Sequence, residues 1–377
     1  MISGHIESGT EKNYDNGERG NACPENTGKG KERSEMKTRQ ILFTEPLHAV
    51  LQETEVPAMG PEGVLARTEY TVISGGTERA NLLGTNNIPG GVEAAKKNWP
   101  RKLGYCGIGK VLDTGEAVEG ILPGDRVLIY HGYHADLNVR NQDEITKVED
   151  DLLPSEEAVF AIIAAMGLGG MRRLEVEIGE SAMVMGLGLL GIFALKFLSL
   201  SGAYPLIAAD PDPARRALAL RYGADLALDP YQEDFAETVR ARTGGHGVRA
   251  VVEVTGNAQA LDQALRATAR EGRISLLGCT RVSDFPIDFY SQVHVPGIKL
   301  IGAHNLVRPK KESYPHHWTH QDDVRMILDF MSAGKLDVRP LIARIAKPEQ
   351  APDIYRELAE SRSFPLATLF DWRTETV

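Results

Sequence analysis

The chain has 377 residues, 42% hydrophobic and 25% charged, with a formal net charge of −10. That length exceeds one ordinary core, so two domains are expected, and the composition is that of a soluble globular protein. The acidic balance, without a basic run, argues against an electrostatic nucleic-acid footprint, and three cysteines without CxxC spacing (Cys23, Cys106, Cys279) exclude a Cys-rich zinc lobe and fit a reducing cytoplasm.

Residues 1–36 are rich in Gly, Glu, Lys and Asn, hold too little apolar surface to offset their ordering entropy, and are expected to be a disordered tail. They lack the apolar middle of a signal peptide. Residues 37–155 carry short β-forming runs, ILFTE, GVLARTEYTVI, IGKVLDTG and DRVLIYHG, cut by Gly, Pro and Asp turns. This reads as a β-rich first domain.

From 156 the pattern changes to alternating helix and strand. SEEAVFAIIAAMGLGGMRRL predicts a helix with Ser155 as its N-cap and Glu156 and Glu157 in its first turn. Strand SAMVMG, helix LLGIFALKFLSLSG, strand YPLIAAD and helix DPARRALALRYGA come next. Strand VRAVVEVTG, helix AQALDQALRATAREG and strands RISLLGC and IKLIGA complete residues 156–303. The class is α/β: βαβ units with right-handed crossovers, and hence a doubly wound parallel sheet. Between Ser181 and Ala209 the only charge is Lys196, a span long enough for a bilayer. Four glycines and Pro205 break it, as suits a buried strand–turn–helix–strand, so no membrane segment is expected. Residues 304–377 hold helices DDVRMILDFMSAG and EQAPDIYRELAES and the strand-like PLATLFDW. They either extend the parallel sheet or return to the first domain.

GLGLLG places Gly186, Gly188 and Gly191 between a predicted strand and a predicted helix. The first glycine allows a tight turn, the second a close approach to pyrophosphate, the third close helix–strand packing, and the helix N-terminus offers free N–H groups. Leu190 lies in the same loop and is taken as cofactor-lining with it. Asp210 ends the following strand, where a carboxylate accepts both ribose hydroxyls and repels a 2′-phosphate, which favours NAD over NADP. Arg215, one helical turn on, is a candidate clamp for the adenosine end.

A β-rich domain, then PGDRV, then GLGLLG, then a return segment resembles the medium-chain dehydrogenase/reductase superfamily across residues 37–373. The resemblance implies a GroES-like first domain, a Rossmann NAD-binding domain over 156–303, completion of the first domain by 304–377, and a cleft for nicotinamide and substrate. In the zinc branch a Cys–Gly–Ser/Thr–Asp segment, a Gly–His–Glu segment and a later ligand hold the metal. The matching places here are ISGGTER, GYC and AIIAAMGLG, with Gly75, Tyr105, Cys106 and Ile162 at the ligand positions. One sulfur cannot hold a catalytic zinc, which needs three protein ligands, so no metal is expected. GTE, LGYC and FDW are similar to a metal-free branch that includes bacteriochlorophyllide dehydrogenases and the dehydrogenase halves of two-part oxidoreductases.

The expected activity is zinc-independent, NAD-linked hydride transfer between a secondary alcohol and a ketone, with a sugar or polyol as small-molecule substrate. A quinone or enoyl reductase and a non-catalytic dinucleotide-binding protein are the alternatives. Without zinc, a hydrogen-bond donor must stabilise and protonate the developing alkoxide. Tyr105 is the candidate donor. Thr77 and Glu78 match the family's relay hydroxyl and its acidic neighbour, or are turn and capping residues. His134, with His131 behind it, is expected to face the cleft and exchange the proton with solvent. His304 follows a strand whose end, in the family, edges the nicotinamide pocket. Cys106 has no adjacent cation to activate it and reads as a packed residue. His316, His317 and His320 in YPHHWTHQDD are read as a solvated loop opening a helix at Asp322. The apolar strand VPGIKLIGA suggests a homodimer or homotetramer.

Overall fold

The computed structural model describes residues 36–85, 98–280, 285–361 and 363–374. Apart from Met36, the tail expected to be disordered lies outside the described residues.

The first part of the chain builds β1 (Lys37–Glu45), β2 (His48–Glu55), β3 (Gly63–Val72), α1 (Gly75–Leu82), β4 (Arg101–Lys102), β5 (Cys106–Thr114), β6 (Arg126–Tyr130), β7 (Leu137–Asn141) and β8 (Ile145–Lys147). β1 pairs with β2 and β4, while β3, β5, β6 and β8 are successive antiparallel neighbours and β7 adds to β3. Val64, Ala66, Val111, Val127, Ile129 and Ile145 are buried together from these strands. α1 occupies the SGGTE stretch, where a turn was one expectation.

α2 (Ser155–Ala158) and α3 (Phe160–Arg172) follow. The expected cap is displaced by one residue. Pro154 caps from extended backbone, Ser155 is already helical, and the Ser155 hydroxyl donates instead to Glu69 Oε2 at 2.6 Å. Glu156 and Glu157 do stand in the first turn, near the positive end of the helix dipole.

β9 (Ala182–Met185), β10 (Leu206–Ala209), β11 (Leu226–Leu228), β12 (Val248–Glu253), β13 (Thr268–Leu276) and β14 (Lys299–Gly302) form one parallel sheet in the order β11-β10-β9-β12-β13-β14. The helices α4 (Leu189–Leu200), α5 (Pro213–Arg221), α6 (Phe235–Arg242) and α7 (Ala258–Ala267) alternate with its strands. This is the doubly wound order, and its direction reverses between β9 and β12, where such sheets bind ligands. Every residue of β9 and β10 is buried, which is why those strands read as continuous apolar runs. The helix expected over 258–272 stops at Ala267. Thr268 turns its hydroxyl onto Ala264 O at 2.6 Å, and the chain onward becomes β13 because its edges pair with β12 and β14.

The last segment holds α8 (His320–Ser332), β15 (Ile342–Ala346), α9 (Ala351–Glu360) and β16 (Ala367–Asp371). β16 lies between β15 and β3, so the second sheet runs β15-β16-β3-β5-β6-β8. Tyr355, Phe43 and Phe370 pack under it with Ile41, Ile73 and Leu82. The return to the first sheet, rather than extension of the parallel one, follows from this pairing.

Candidate active site

The loop after β9 lies at the switch point. Gly186 has φ +93°, which disfavours any side chain, and a Cβ on Gly191 would stand 1.9 Å from Gly186 O. A Cβ on Gly188 would meet nothing within 4 Å, so its space opens outward. Gly188 is the N-cap of α4, whose first N–H groups have no intrahelical acceptors. Leu190 is half-buried on the first turn of that helix. Asp210, 4% exposed, accepts from Leu187 N at 2.8 Å through Oδ2 and from Asp212 N at 2.9 Å through Oδ1. Arg215 Nη1 lies 3.9 Å from Asp210 Oδ2. Loop, helix terminus and carboxylate thus converge, and a dinucleotide fits this cradle.

The second constellation is built on α1 and the start of β5. Tyr105 O–H donates to Ser74 Oγ at 2.5 Å. Burial raises the Tyr105 phenol well above its ordinary value, with smaller contributions from Cys106, Glu78 and Tyr130. Ser74 N–H donates to Glu78 Oε1 at 2.7 Å, which ties the N-cap of α1 to its own first turn. Glu78 is 1% exposed, and its Oε2 also accepts from Tyr355 O–H at 2.5 Å. The His134 ring is 0% exposed, with Nε2 3.2 Å from Glu78 Oε2 and Nδ1 2.6 Å from Thr71 Oγ1. Trp372 Nε1 donates to that same hydroxyl at 2.9 Å. Satisfying every group gives one direction: Trp372 N–H to Thr71, Thr71 O–H to His134 Nδ1, His134 Nε2–H to Glu78.

This burial corrects the expectation for His134. It does not face a cleft open to solvent, because β1, β3, α1 and β16 enclose it, with Phe370 edge-on at 5.4 Å. Thr77 gives its backbone carbonyl to Asn81 Nδ2 at 2.9 Å, and among the described residues its hydroxyl joins no hydrogen bond of this network. His131 is exposed and pairs with Glu144 at 2.9 Å. His304 is also exposed and caps the turn Asn305–Val307, accepting from Leu306 N at 3.2 Å. Cys106 is buried, and burial with the nearby Glu78 charge pushes its thiol well up, away from the reactive thiolate.

The histidine-rich stretch differs from the expected solvated loop. α8 starts at His320, capped by Thr319, whose hydroxyl accepts from Asp322 N at 3.1 Å. His317 stacks on Tyr314, whereas His320 lies tilted against Tyr130 at 4.2 Å and both its ring nitrogens are buried without partners among the described residues. Among the described residues, no three His, Cys, Asp or Glu side chains gather where they could hold a metal ion. Also among them, no helix is long and apolar enough to cross a membrane.

Ser74, Thr71, Tyr355 and Trp372 were missed by the reading of the sequence. Ser74 alone carried a local signal, sitting four residues before Glu78. Tyr130 and Asn305 were missed too: Asn305 Nδ2 donates to Tyr130 O–H at 2.5 Å across 175 residues.

Residues 190–316 match the family model described as zinc-binding dehydrogenase. The chain is 29% identical over 332 residues to L-threonine 3-dehydrogenase of Pyrococcus abyssi, covering 80% of this chain and 89% of the relative. It is 24% identical over 343 residues to D-guloside 3-dehydrogenase of Escherichia coli K12, covering 85% and 96%. A zinc-binding dehydrogenase of Sinorhizobium meliloti, solved with NADP, shares the fold at a TM-score of 0.74 and 19% identity, covering 89% of this chain and all of that one. Motif and relatives point the same way: the chain is similar to alcohol-dehydrogenase-like oxidoreductases, and it shares their fold.

Proposed function

We propose that the protein is a zinc-independent, NAD-linked dehydrogenase that interconverts a secondary alcohol and a ketone, with Tyr105 serving the reacting oxygen. The observation that carries this reading is the Tyr105–Ser74 hydrogen bond at the foot of α1, in the place where relatives of the zinc branch hold metal ligands. The residues present do not fit a catalytic zinc. Gly75 offers no donor, Ile162 is apolar, the Tyr105 phenol holds its proton, and both nitrogens of His134 are committed.

The nicotinamide, when bound, supplies or accepts the hydride at the carbinol carbon. In the direction of reduction the carbonyl π pair moves to oxygen, which takes the Tyr105 proton. The Ser74 hydroxyl then turns to donate a hydrogen bond to the phenolate, which regains its proton from solvent when the product leaves, and oxidation runs the same steps in reverse. The phenol, raised by burial, stays protonated through neutral pH and so is present as a hydrogen-bond donor to the developing alkoxide. Glu78, His134 and Tyr355 are positioning residues: they fix the Ser74 backbone and so the aim of its hydroxyl. The buried Asp210 charge favours NAD, since a 2′-phosphate would lie against it. Relatives named for threonine and guloside substrates support a hydroxylated substrate, a sugar or polyol among them. The free thiols Cys106 and Cys279 are in keeping with the cytoplasm.

Elemental mass spectrometry on protein purified without chelator, paired with Tyr105→Phe kinetics, tests this. Expected are near-zero zinc with activity that survives chelation, and a kcat lowered about 100-fold or more in the variant. One zinc per chain that turnover requires, or an unimpaired Tyr105→Phe enzyme, refutes it.

A further inference from the structure

The end of α3 carries a further polar cluster, apart from both constellations above. Arg172 Nη2 lies 2.9 Å from Asp323 Oδ1, and Arg308 Nη1 lies 2.8 Å from Asp323 Oδ2. Asp323 stands in the first turn of α8 and is 0% exposed, and Arg308 reaches it from the loop that follows β14. One buried carboxylate thus serves two guanidinium groups. Basic side chains alone would say nothing here, since they suit the negative end of a helix. The arrival of Arg308 from another element is what distinguishes the place.

Beside this triad is a cavity of about 50 Å³, lined also by Arg173, Glu175 and Trp318. Three guanidinium groups there face two carboxylates, so the lining keeps a surplus of positive charge in a chain that is acidic overall. Arg173 is exposed and joins no ion pair among the described residues. The Arg172 guanidinium lies over the Trp318 ring at 4.5 Å, which fixes its plane, and its Nη1 has no acceptor among the described residues. Trp318 is itself held in place. Thr319 N donates to Ser313 Oγ at 2.9 Å, and Tyr314 and His317 exchange backbone bonds at 2.8 Å. The donors are therefore set before anything binds.

The cavity is separate from the dinucleotide cradle. A Cβ on Gly167 would stand 2.9 Å from Leu190 O of α4, whereas one on Gly169 would stand 2.0 Å from Arg308 Nη2. Two residues are about 200° around a helix, so the body of α3 lies between the two places.

We propose that this cavity is an oxyanion site that takes a phosphate group, with Arg172 and Arg173 donating from α3 and Arg308 adding its charge from the loop after β14. A tetrahedral phosphate accepts from several directions, as guanidinium groups on two elements require, whereas a carboxylate accepts in one plane. The space suits one phosphate, and any organic part extends past the exposed rim at Arg173 and Trp318. Bound there, the anion ties the loop between β14 and α8 to the end of α3. The site stands independently of the alcohol chemistry.

Isothermal titration of inorganic phosphate into the full chain, at an ionic strength held constant with sodium chloride, reads the site directly. Wild type is expected to bind saturably with a Kd of about 1 mM or tighter. Arg173→Gln and Arg172→Gln are each expected to weaken binding about ten-fold. Arg173 is exposed and unpaired, so an unchanged Tm without phosphate is expected for its variant, and agreement between the two variants then separates binding from misfolding. Glycerol 3-phosphate, titrated alongside, distinguishes the sources. Tighter binding than inorganic phosphate assigns the site to a phosphate monoester, equal or weaker binding assigns it to the free ion, and both support the proposal. Absence of saturable binding overturns it. Binding that neither variant weakens also overturns it and puts the phosphate in the dinucleotide cradle. Acetate bound as tightly as phosphate overturns it as well, reducing the cluster to unspecific positive charge.

Discussion

Glu78 is the residue on which most of the buried network converges, and its removal has a size that can be worked out. The carboxylate accepts from Ser74 N at 2.7 Å, Tyr355 O–H at 2.5 Å and His134 Nε2 at 3.2 Å, all at 1% exposure. Glu78→Ala leaves three buried donors unpaired at about 1–3 kcal/mol each, and water entering the space recovers part, so a net loss of about 3–6 kcal/mol is expected. At about 2–4 °C per kcal/mol for a unit of this size, even the lower bound lowers Tm by about 6–12 °C. Glu78→Gln keeps the shape but turns one acceptor into a donor facing a donor, and is expected to cost about 1–3 kcal/mol. Scanning calorimetry of the three proteins, with unfolding in urea as a cross-check, reads these values. A second readout separates positioning from bulk stability: kcat should fall in Glu78→Gln at a temperature where the variant is fully folded, because Ser74 is then less well held. A Tm within about 2 °C of wild type for Glu78→Ala would refute the three-donor account.

The remaining predictions concern cofactor choice, pH and assembly. Asp210→Ser should shift the NAD-over-NADP ratio of kcat/KM toward NADP by about ten-fold or more, and an unchanged ratio would remove Asp210 from cofactor selection. His320 has its folded pKa lowered to about 3, first by burial and then by the charges of Arg308 and His131, against 6.5 when unfolded. The unfolded chain therefore binds the extra proton between those values. The stabilisation is complete above about 6.5 and is lost as pH falls toward about 3, at up to about 1.4 kcal/mol per pH unit. Urea titrations at pH 7, 6 and 5 should show a shallower acid loss for His320→Phe than for wild type, and parallel curves would contradict it. Among the described residues β14 has β13 as its one neighbour and is flanked by exposed Phe289, Tyr290, Val295, Leu306 and Val307, so we propose that this edge joins copies of the chain. Sedimentation should give a dimer or tetramer that Ile301→Lys weakens; a monomeric wild type would end the idea.

Local chemistry was legible in the sequence. Gly186, Gly191 and Asp210 stood out because turn, helix start and strand end lie within one βαβ unit, and the structure keeps them together for the same reason. Tyr105 stood out because it falls where the zinc branch of the resembled family carries a ligand. The contacts of Glu78 with His134, itself a named candidate, and with Tyr355 did not, because they lie 56 and 277 residues away and no spacing rule reaches that far. His134 was misjudged in burial: HGYHADL reads as a polar loop, yet backbone bonds from His134 N to Leu103 O and from Ile41 N to His134 O sew it between strands. The start of β13 was read as helix because Ala, Arg and Glu favour one, and tertiary pairing overrode that preference. The first turn of α8 was placed two residues late, since Thr319 supplies the cap that Asp322 was expected to open.

The position of β16 bears on how the protein is made. The parallel sheet is complete at Gly302, whereas the catalytic sheet still lacks the strand that separates β15 from β3 until residues 367–371 have been synthesised. Trp372, which completes the hydrogen-bond chain to His134, comes later still. The nucleotide-binding unit can thus assemble on the ribosome while the half that would use it is open. Competence to hold a dinucleotide precedes competence to react it, and the last dozen described residues act as the closing step of the active site's construction.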